Sequence, residues 1–225
     1  MSETEKVQND LIFTLFRSIK LGYEYKFLPV KEYLEKTQRM ILLQEKELKN
    51  KYEKDHEDYS EISNLFEIYE IEKSNINEFP NILNKSIYLT VYSMFENDFF
   101  KLCEWCQKIE KIELGPKDLK GRNYIGQCKN YIIKVLNVDI EKLKIQWQII
   151  EKYQQIRNLI AHNDGVVKPN NKEILKFIIE TEGIFIEEKS NIININSIIF
   201  LNGLIEHLIN FLSNTVDEII NQKYK

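Results

Sequence analysis

The sequence predicts a mostly α-helical protein: a helical bundle with a small β-hairpin insertion and a long N-terminal helical extension. Glycine and proline are scarce, with 7 and 4 among 225 residues, which disfavours turn-rich sandwiches and barrels. Apolar residues recur at intervals of three and four over most of the chain, a spacing that places them on one face of a helix. Residues 183–196 instead contain two alternating, β-branched runs, which are typical of short strands.

The N-terminal third of the chain predicts two helices separated by a proline. Apolar spacing predicts the first helix over about residues 5 to 28, and Pro29, which lacks a backbone donor, interrupts it. A second, highly charged helix is expected from about residue 30 toward 75. Its middle, ELKNKYEKDHEDYSE at 47–61, has too few apolar residues for burial on both sides. This composition predicts a solvated arm of a helical hairpin or coil.

A third, central helix is predicted to open at Pro80 and to end at Gly115 and Pro116. Its apolar residues cover so much of the helix circumference that it is expected to lie in the middle of the bundle. They are Ile82, Leu83, Ile87, Leu89, Val91, Met94, Phe95, Phe99 and Leu102.

The C-terminal half predicts several shorter elements. One or two short helices, weakened by Gly121 and Gly126, are expected over residues 117–137 and precede a longer helix that starts near Asp139. A short helix follows from Ile174. A β-hairpin with EKSN at its turn, and then a closing helix over residues 197–220, are predicted to complete the chain.

Charge and hydropathy narrow the classes of function. The formal net charge is -4, so no global basic field holds this protein on nucleic acid, and any such contact requires a local site. No charged segment followed by an apolar one opens the chain, and its most apolar stretch, from Asn191, is interrupted by asparagines. We therefore expect a cytoplasmic protein that does not bind a membrane.

Three cysteines offer one candidate metal site, which the sequence does not favour. Cys103 and Cys106 form a C-x-x-C pattern, and Cys128 is the third thiol. Structural zinc usually takes four ligands, and neither a second C-x-x-C nor a nearby histidine completes the set. We expect buried thiols, no bound metal and no cofactor.

The stretch YQQIRNLIAHNDGVV, residues 153–167, contains the most informative residues of the chain: Arg157, Asn158 and His162. At about 100° per residue, one face of its helix is apolar and the opposite sector is polar, with His162 in the last turn before a left-handed stop at Gly165. The predicted core face contains Ile145, Ile149, Tyr153, Ile156 and Ile160. The predicted polar sector contains Glu151, Gln155, Asn158 and His162.

Arg157 and His162 are not made neighbours by helical periodicity. Five residues on an ideal helix separate two side chains by about 140°. If the two residues act together, another feature must bring them together, and a two-fold dimer supplies one, because Arg157 of one copy can complete the site at His162 of the other.

The pattern R157-N158-x-x-x-H162 resembles the signature of the HEPN superfamily (higher eukaryotes and prokaryotes nucleotide-binding domains). In that family an arginine, often followed by Asn or His, and a later histidine end a helix of an all-α bundle. The resemblance covers residues 78–222: a central aromatic helix with an acidic residue, the motif helix, a β-hairpin and a closing helix. It implies a HEPN-like helical domain over 78–225 and an N-terminal helical extension over 1–77, packed on the bundle.

The resemblance also implies a function. Catalytic members are metal-independent ribonucleases of antiviral defence, abortive infection and toxin–antitoxin systems, and they act as dimers whose two motifs line one cleft. For this chain it implies an RNA substrate, a homodimer, an antitoxin or defence-system partner, and Arg157, His162 and Asn158 as the site. One subgroup is silenced by modification of a tyrosine two residues after the histidine. Asp164 stands there, so inhibition by that route is not expected.

Other interpretations of these residues stay open. The same site suits a non-catalytic domain that binds RNA or nucleotides, and the charged N-terminal helices suit an interaction scaffold. His162 can also simply end a helix while Arg157 pairs with a glutamate. His207 lies between apolar positions and is interpreted as a hydrogen-bonded core or interface residue, and His56 as a solvated one. No nucleophile–base grouping or glycine-rich phosphate loop is present, which disfavours hydrolase triads and nucleotide triphosphatases.

Overall fold

The structure is a computed structural model that describes residues 3–58, 65–120 and 123–224, and it confirms the mostly α-helical class with a small β-hairpin. Short 3-10 turns occupy Pro116–Asp118 and Glu141–Leu143, and a π-helical turn occupies Tyr131–Val135. The regular elements are α1 (Glu3–Asp58), α2 (Leu65–Glu110), α3 (Tyr124–Asn130), α4 (Lys144–His162), α5 (Lys172–Ile179), β1 (Ile184–Ile186), β2 (Ile193–Ile195) and α6 (Ile198–Lys223).

Both predicted breaks at prolines are wrong. Pro29 lies inside α1 and Pro80 lies inside α2, so the predicted helix over 30–75 is divided between these two long helices. A proline inside a helix costs roughly 3 kcal/mol, because it removes one hydrogen bond and crowds the preceding turn. Around Pro29 that cost is offset by burial, since Phe27 and Leu34 on either side of it are buried.

Contacts group the chain into two compact units. The first contains Met1–Leu28, Thr90–Gln155 and Leu204–Lys225, and the second contains Pro29–Leu89 and Ile156–Gly203. These two units are defined by residues that lie close together in space. The predicted boundary at residue 77 is instead defined by how far along the chain the family resemblance extends. The division into 1–77 and 78–225 therefore stays a prediction.

The first unit is built around a cluster of aromatic rings. Phe99 of α2 stacks on Phe95 at 5.9 Å between ring centroids and meets the edge of Phe211 of α6 at 5.4 Å. Trp147 of α4 lies 5.8 Å from the ring of Phe211. This cluster confirms the predicted burial of Phe95 and Phe99, whereas Ile82, assigned to the same core, is 63% exposed.

The three cysteines lie in the interior of the first unit, as predicted. Cys103, Cys106 and Cys128 are buried and form no disulfide. The Cys103 thiol donates to the backbone carbonyl of Cys128 at 3.7 Å. Burial raises the pKa of the Cys106 thiol to about 12, so it stays protonated near neutral pH.

The second unit contains the predicted β-hairpin. Its strands pair antiparallel, with Ile184 opposite Ile195 and Ile186 opposite Ile193. Asn191 adopts a left-handed φ of 56° at the turn and donates its N–H to the Glu187 carbonyl at 2.8 Å. The hairpin prediction is confirmed because the two β-branched runs pair across this turn.

Strand β2 is attached to α2 by two asparagines. The side-chain amide of Asn84 donates to the Ile195 carbonyl at 2.9 Å, and the Ile195 N–H donates to Asn81 Oδ1 at 3.1 Å. Both backbone groups of Ile195 are thereby satisfied by side chains of α2. The ring of Tyr88 also stacks on Phe200 at 5.6 Å within the same unit.

The end of α1 and the start of α2 form the predicted helical hairpin. Tyr52 lies 4.2 Å from Tyr69 between ring centroids, and Lys51 Nζ lies 3.4 Å from Glu72. These contacts require antiparallel segments, because the earlier residue of α1 meets the later residue of α2. Residues 59–64, the Gly121 position and the His56 side chain lie outside the described part of the chain. Among the described helices, none combines the length and apolarity needed to cross a bilayer.

Truncation of Phe99 tests the aromatic cluster. We expect Phe99→Ala to lower the free energy of unfolding by about 3–5 kcal/mol, because it empties the centre of a packed core. Phe185→Ala is the matched control: that ring is 43% exposed, and we expect a loss of less than about 1 kcal/mol. Denaturant unfolding followed by circular dichroism measures both changes. Equal losses would contradict the assignment of the core.

Amide exchange tests the hairpin of α1 and α2. We expect backbone amides of residues 42–55 to exchange faster than those of residues 87–102, because Leu42 and Leu43 are exposed while Val91, Phe95 and Phe99 are fully buried. Hydrogen–deuterium exchange with mass spectrometry measures both segments in one sample. Equal, strong protection of the two segments would show that a further partner covers this hairpin.

Candidate active site

Helix α4 exposes a different apolar residue than its periodicity predicts. Ile145 was assigned to the core face and is 73% exposed, whereas Trp147 is buried in the aromatic cluster. The burial of this large ring outweighs that of Ile145, so the buried face is rotated from its predicted position. The buried apolar residues of this segment are Leu143, Trp147, Ile150, Tyr153 and Ile156.

The polar sector of α4 lies at the surface, as predicted. Glu151, Asn158 and His162 are exposed, and Gln155 is half-buried. His162 is the last residue of the helix. Its imidazole is therefore accessible from solvent at the end of an otherwise packed element.

The chain turns sharply after His162 and becomes attached to the hairpin. Gly165 adopts the predicted left-handed conformation, with φ of 80°, and its N–H donates to the Leu159 carbonyl at 2.9 Å. Its carbonyl accepts the N–H of Ile193 in β2 at 2.9 Å. The Val167 N–H donates to the Asn191 carbonyl at 2.9 Å. These bonds fix the backbone that follows the motif.

The three predicted site residues come together within one chain. Arg157 Nη1 donates to Asn158 Oδ1 at 3.1 Å and lies 3.5 Å from His162 Nε2. The functional groups of Arg157 and His162 are therefore neighbours, and the prediction that helical periodicity keeps them apart is wrong. The reason is the length of the arginine side chain, which carries its guanidinium around the helix to the imidazole.

This contact assigns a role to each atom. A guanidinium can only donate hydrogen bonds, so in the imidazole tautomer with a bare Nε2 that nitrogen accepts from Arg157 Nη1. Asn158 Oδ1 accepts from the same Nη1 atom and thereby restrains the guanidinium. The result is a half-buried guanidinium next to an exposed imidazole, a combination suited to a phosphate and to proton transfer.

A polar cleft of about 700 Å³ begins at residues that flank His162 in the chain. Asn163 and Asp164 lie on its near side, and Lys168, Asn170 and Asn171 follow it along the chain. Sequence reasoning missed the last three residues, although the run KPNN at 168–171 was a signal, because it concentrates a cation and two amides beside the motif. Leu159 and Val166 complete the lining of this cleft.

His207 is hydrogen-bonded, as predicted, but it lies at the surface of the first unit rather than in a core. Its Nδ1 accepts from the Tyr153 hydroxyl at 3.0 Å. Burial raises the pKa of the Tyr153 phenol, so that hydroxyl keeps its proton and acts as the donor. Among the described residues, no group of three or more His, Cys, Asp or Glu side chains is placed to hold a metal ion.

Comparison with protein-family models, curated proteins and solved structures finds no match to this chain. The assignment of a function therefore depends on the geometry of Arg157, Asn158 and His162 and on the resemblance of their sequence pattern.

Substitution of Gly165 tests the turn that follows the motif. We expect Gly165→Ala to lower the free energy of unfolding by about 1–2 kcal/mol, because a side chain at a φ of 80° is strained. Gly203→Ala is the matched control. A methyl group there meets open space inside a helix, so stability is expected to stay equal or to rise. Thermal unfolding of both variants distinguishes strain from a general effect of added side chains.

Proposed function

We propose that this protein is a metal-independent endoribonuclease of HEPN type, an effector of antiviral defence or a toxin, that cleaves RNA in a dimer cleft. The observation that carries the proposal is the convergence of Arg157 Nη1 on His162 Nε2 and Asn158 Oδ1 at the exposed end of α4. Phosphodiester cleavage by an internal hydroxyl needs a base, an acid and a group that stabilises charge on the phosphate, and imidazole and guanidinium can fill these roles.

The proposed reaction is attack of the ribose 2′-oxygen on the adjacent phosphorus. As the guanidinium of Arg157 turns from His162 to the phosphate, the freed imidazole Nε2 takes the proton of the 2′-OH. The 2′-oxygen then forms the new bond to phosphorus, and the bond from phosphorus to the 5′-oxygen breaks. A second imidazole donates a proton to the departing 5′-oxygen. Arg157 neutralises the charge that builds on the phosphate oxygens. The products are a 2′,3′-cyclic phosphate and a 5′-hydroxyl.

A dimer supplies the second imidazole. Each chain contributes one His162, and base and acid are two roles in a single displacement. A two-fold pair of motifs provides two imidazoles and two guanidinium groups in one cleft. The contact between Arg157 and His162 within one chain means that each copy brings its own coupled pair, so the dimer joins two pairs instead of completing a divided one.

The polar cleft after His162 suits the RNA strand that leads to the reacting phosphate. Lys168 supplies a positive charge for a neighbouring phosphate, while Asn163, Asn170 and Asn171 present amides that donate and accept hydrogen bonds. The same cleft also supports a second candidate, a non-catalytic domain that binds RNA or nucleotides. The two candidates differ in whether His162 changes the rate of cleavage or only affinity.

RNA cleavage tests the proposal. Purified protein is incubated with cellular RNA in EDTA, and the ends of the products are identified. We expect cleavage to persist and to leave 2′,3′-cyclic phosphate. His162→Ala and Arg157→Ala are each expected to lower the rate by at least about 10²-fold, because they remove proton transfer and charge stabilisation. The matched controls are His207→Ala and Arg39→Ala, which remove an exposed histidine and an exposed arginine outside the site.

Two further outcomes decide between the candidates. Full cleavage by His162→Ala would end the ribonuclease proposal. A native chain that binds RNA without cleaving it, together with a His162→Ala variant that no longer binds RNA, would support the binding domain. Mixing Arg157→Ala with His162→Ala chains tests the coupling within one chain. We expect mixed dimers to stay impaired, because no copy then holds an intact Arg157–His162 pair, whereas recovery would show that the pair forms between copies.

A further inference from the structure

The first part of α1, residues 7–28, is apolar on two opposite faces. One face packs within the first unit through Phe16, Ile19, Tyr23 and Phe27, which are buried. The opposite face is exposed and also apolar, with Leu11 at 70% and Tyr25 at 72% exposure. A helix that is apolar all round is normally covered on all sides, so the exposed face is unpartnered in the single chain.

The exposed face has the spacing of a coiled-coil seam. Its residues follow one another at alternating intervals of four and three over about 33 Å, given the rise of about 1.5 Å per residue. We name this seam the outer stripe. It consists of Val7, Leu11, Thr14, Ser18, Leu21, Tyr25 and Leu28.

We propose that the outer stripe is a dimer interface on which the same stripe of a second copy docks antiparallel. The two-fold axis then passes between Ser18 and Leu21. In each layer of the pair, either a small residue meets a large one, or two residues of equal size meet. A parallel pair would instead stack Tyr25 on Tyr25 and Ser18 on Ser18, which leaves gaps between bulky layers. The antiparallel layers are Leu11 with Leu28, Thr14 with Tyr25, and Ser18 with Leu21 of the second copy.

The charges beside the outer stripe complement one another only in the antiparallel arrangement. Arg17 and Glu24 are exposed and occupy the same flanking position of successive heptads. In the antiparallel register, Arg17 of each copy lies beside Glu24 of the other, which gives two ion pairs per dimer. In a parallel pair Arg17 would instead face Gly22 and Glu24 would face Pro29 of the other copy, and neither is charged. Charge complementarity therefore points to a second copy and fixes its direction.

The two small residues of the stripe tolerate burial. The Thr14 hydroxyl donates to the Asp10 carbonyl at 2.9 Å, and the Ser18 hydroxyl donates to the Thr14 carbonyl at 3.0 Å. Their hydrogen bonds are satisfied within α1, so covering them with Tyr25 or Leu21 of a second copy leaves no donor unpaired. A groove of about 680 Å³, lined by Arg17, Leu21 and Glu24 among others, gives room for side chains of that copy.

This interface goes beyond the proposed ribonuclease. It uses residues of the first unit and none of the motif residues, so it is a second interface, distinct from the proposed dimer cleft that joins two motifs. Absence of cleavage by a native chain that still associates through the outer stripe would count against the proposed function alone. A stripe variant that forms smaller assemblies than the native chain but cleaves RNA at the native rate would bear on the outer stripe alone.

Charge reversal with sedimentation equilibrium tests the interface. We expect Arg17→Glu and Glu24→Arg each to weaken self-association at least about tenfold, because each replaces two attractive pairs by two repulsive ones. An equimolar mixture of the two variants is expected to recover association, since the reversed charge at position 17 of one chain then meets the reversed charge at position 24 of the other. The double reversal in one chain is expected to recover it as well. Arg39→Glu, a reversal on the same helix outside the stripe, is the matched control.

Cross-linking gives a second measurement that does not depend on charge. Because the native thiols are buried, cysteines introduced by Ser18→Cys and Leu21→Cys report on the stripe alone. We expect the mixture of these two variants to form an interchain disulfide more readily than either variant by itself. A native chain that is monomeric at high micromolar concentration, reversals without effect, or preferential cross-linking of Ser18→Cys with itself would overturn the proposal.

Discussion

The second unit depends on the hydrogen bonds of strand β2. Through Ile193 this strand binds the carbonyl of Gly165 at the end of the motif helix, and through Ile195 it binds Asn81 and Asn84 of α2. Pairing with β1 satisfies few backbone groups of a three-residue strand. Each of these further bonds therefore gives a buried N–H or C=O group a partner in place of the water it loses on folding. The position of the motif is therefore set by a small hairpin and not only by the helix that contains it.

The chemistry of the site follows from that arrangement. Because α4 ends at His162 and the chain is fixed immediately afterwards, the imidazole is exposed while its backbone is held. Arg157 reaches the imidazole around the helix, and Asn158 restrains the guanidinium from the same surface. A cation next to an imidazole lone pair, with a polar cleft along the following segment, is an arrangement suited to a phosphodiester substrate.

Sequence patterns failed where packing outweighed local preference. The prolines of α1 and α2 were expected to break helices, yet both helices continue. Buried Phe27 and Leu34 flank the proline of α1, and Asn81 and Asn84, which bind strand β2, follow the proline of α2. The core face of α4 was displaced for a related reason. A periodicity that counts every apolar residue equally places Ile145 on the buried face. Burial of the larger ring of Trp147 in the aromatic cluster contributes more free energy, and Ile145 is left exposed.

The sequence by itself determined the helical class, the β-hairpin, the buried thiols, the left-handed Gly165 and the exposure of Asn158 and His162. Each of these follows from local rules of periodicity, turn conformation or composition that need no knowledge of distant residues. Only the three-dimensional structure decided the continuity of α1 and α2, which face of α4 is buried, the polar cleft at Lys168 and the contact of Arg157 with His162. These depend on which surfaces meet and on how far a flexible side chain reaches, and helical spacing contains neither quantity.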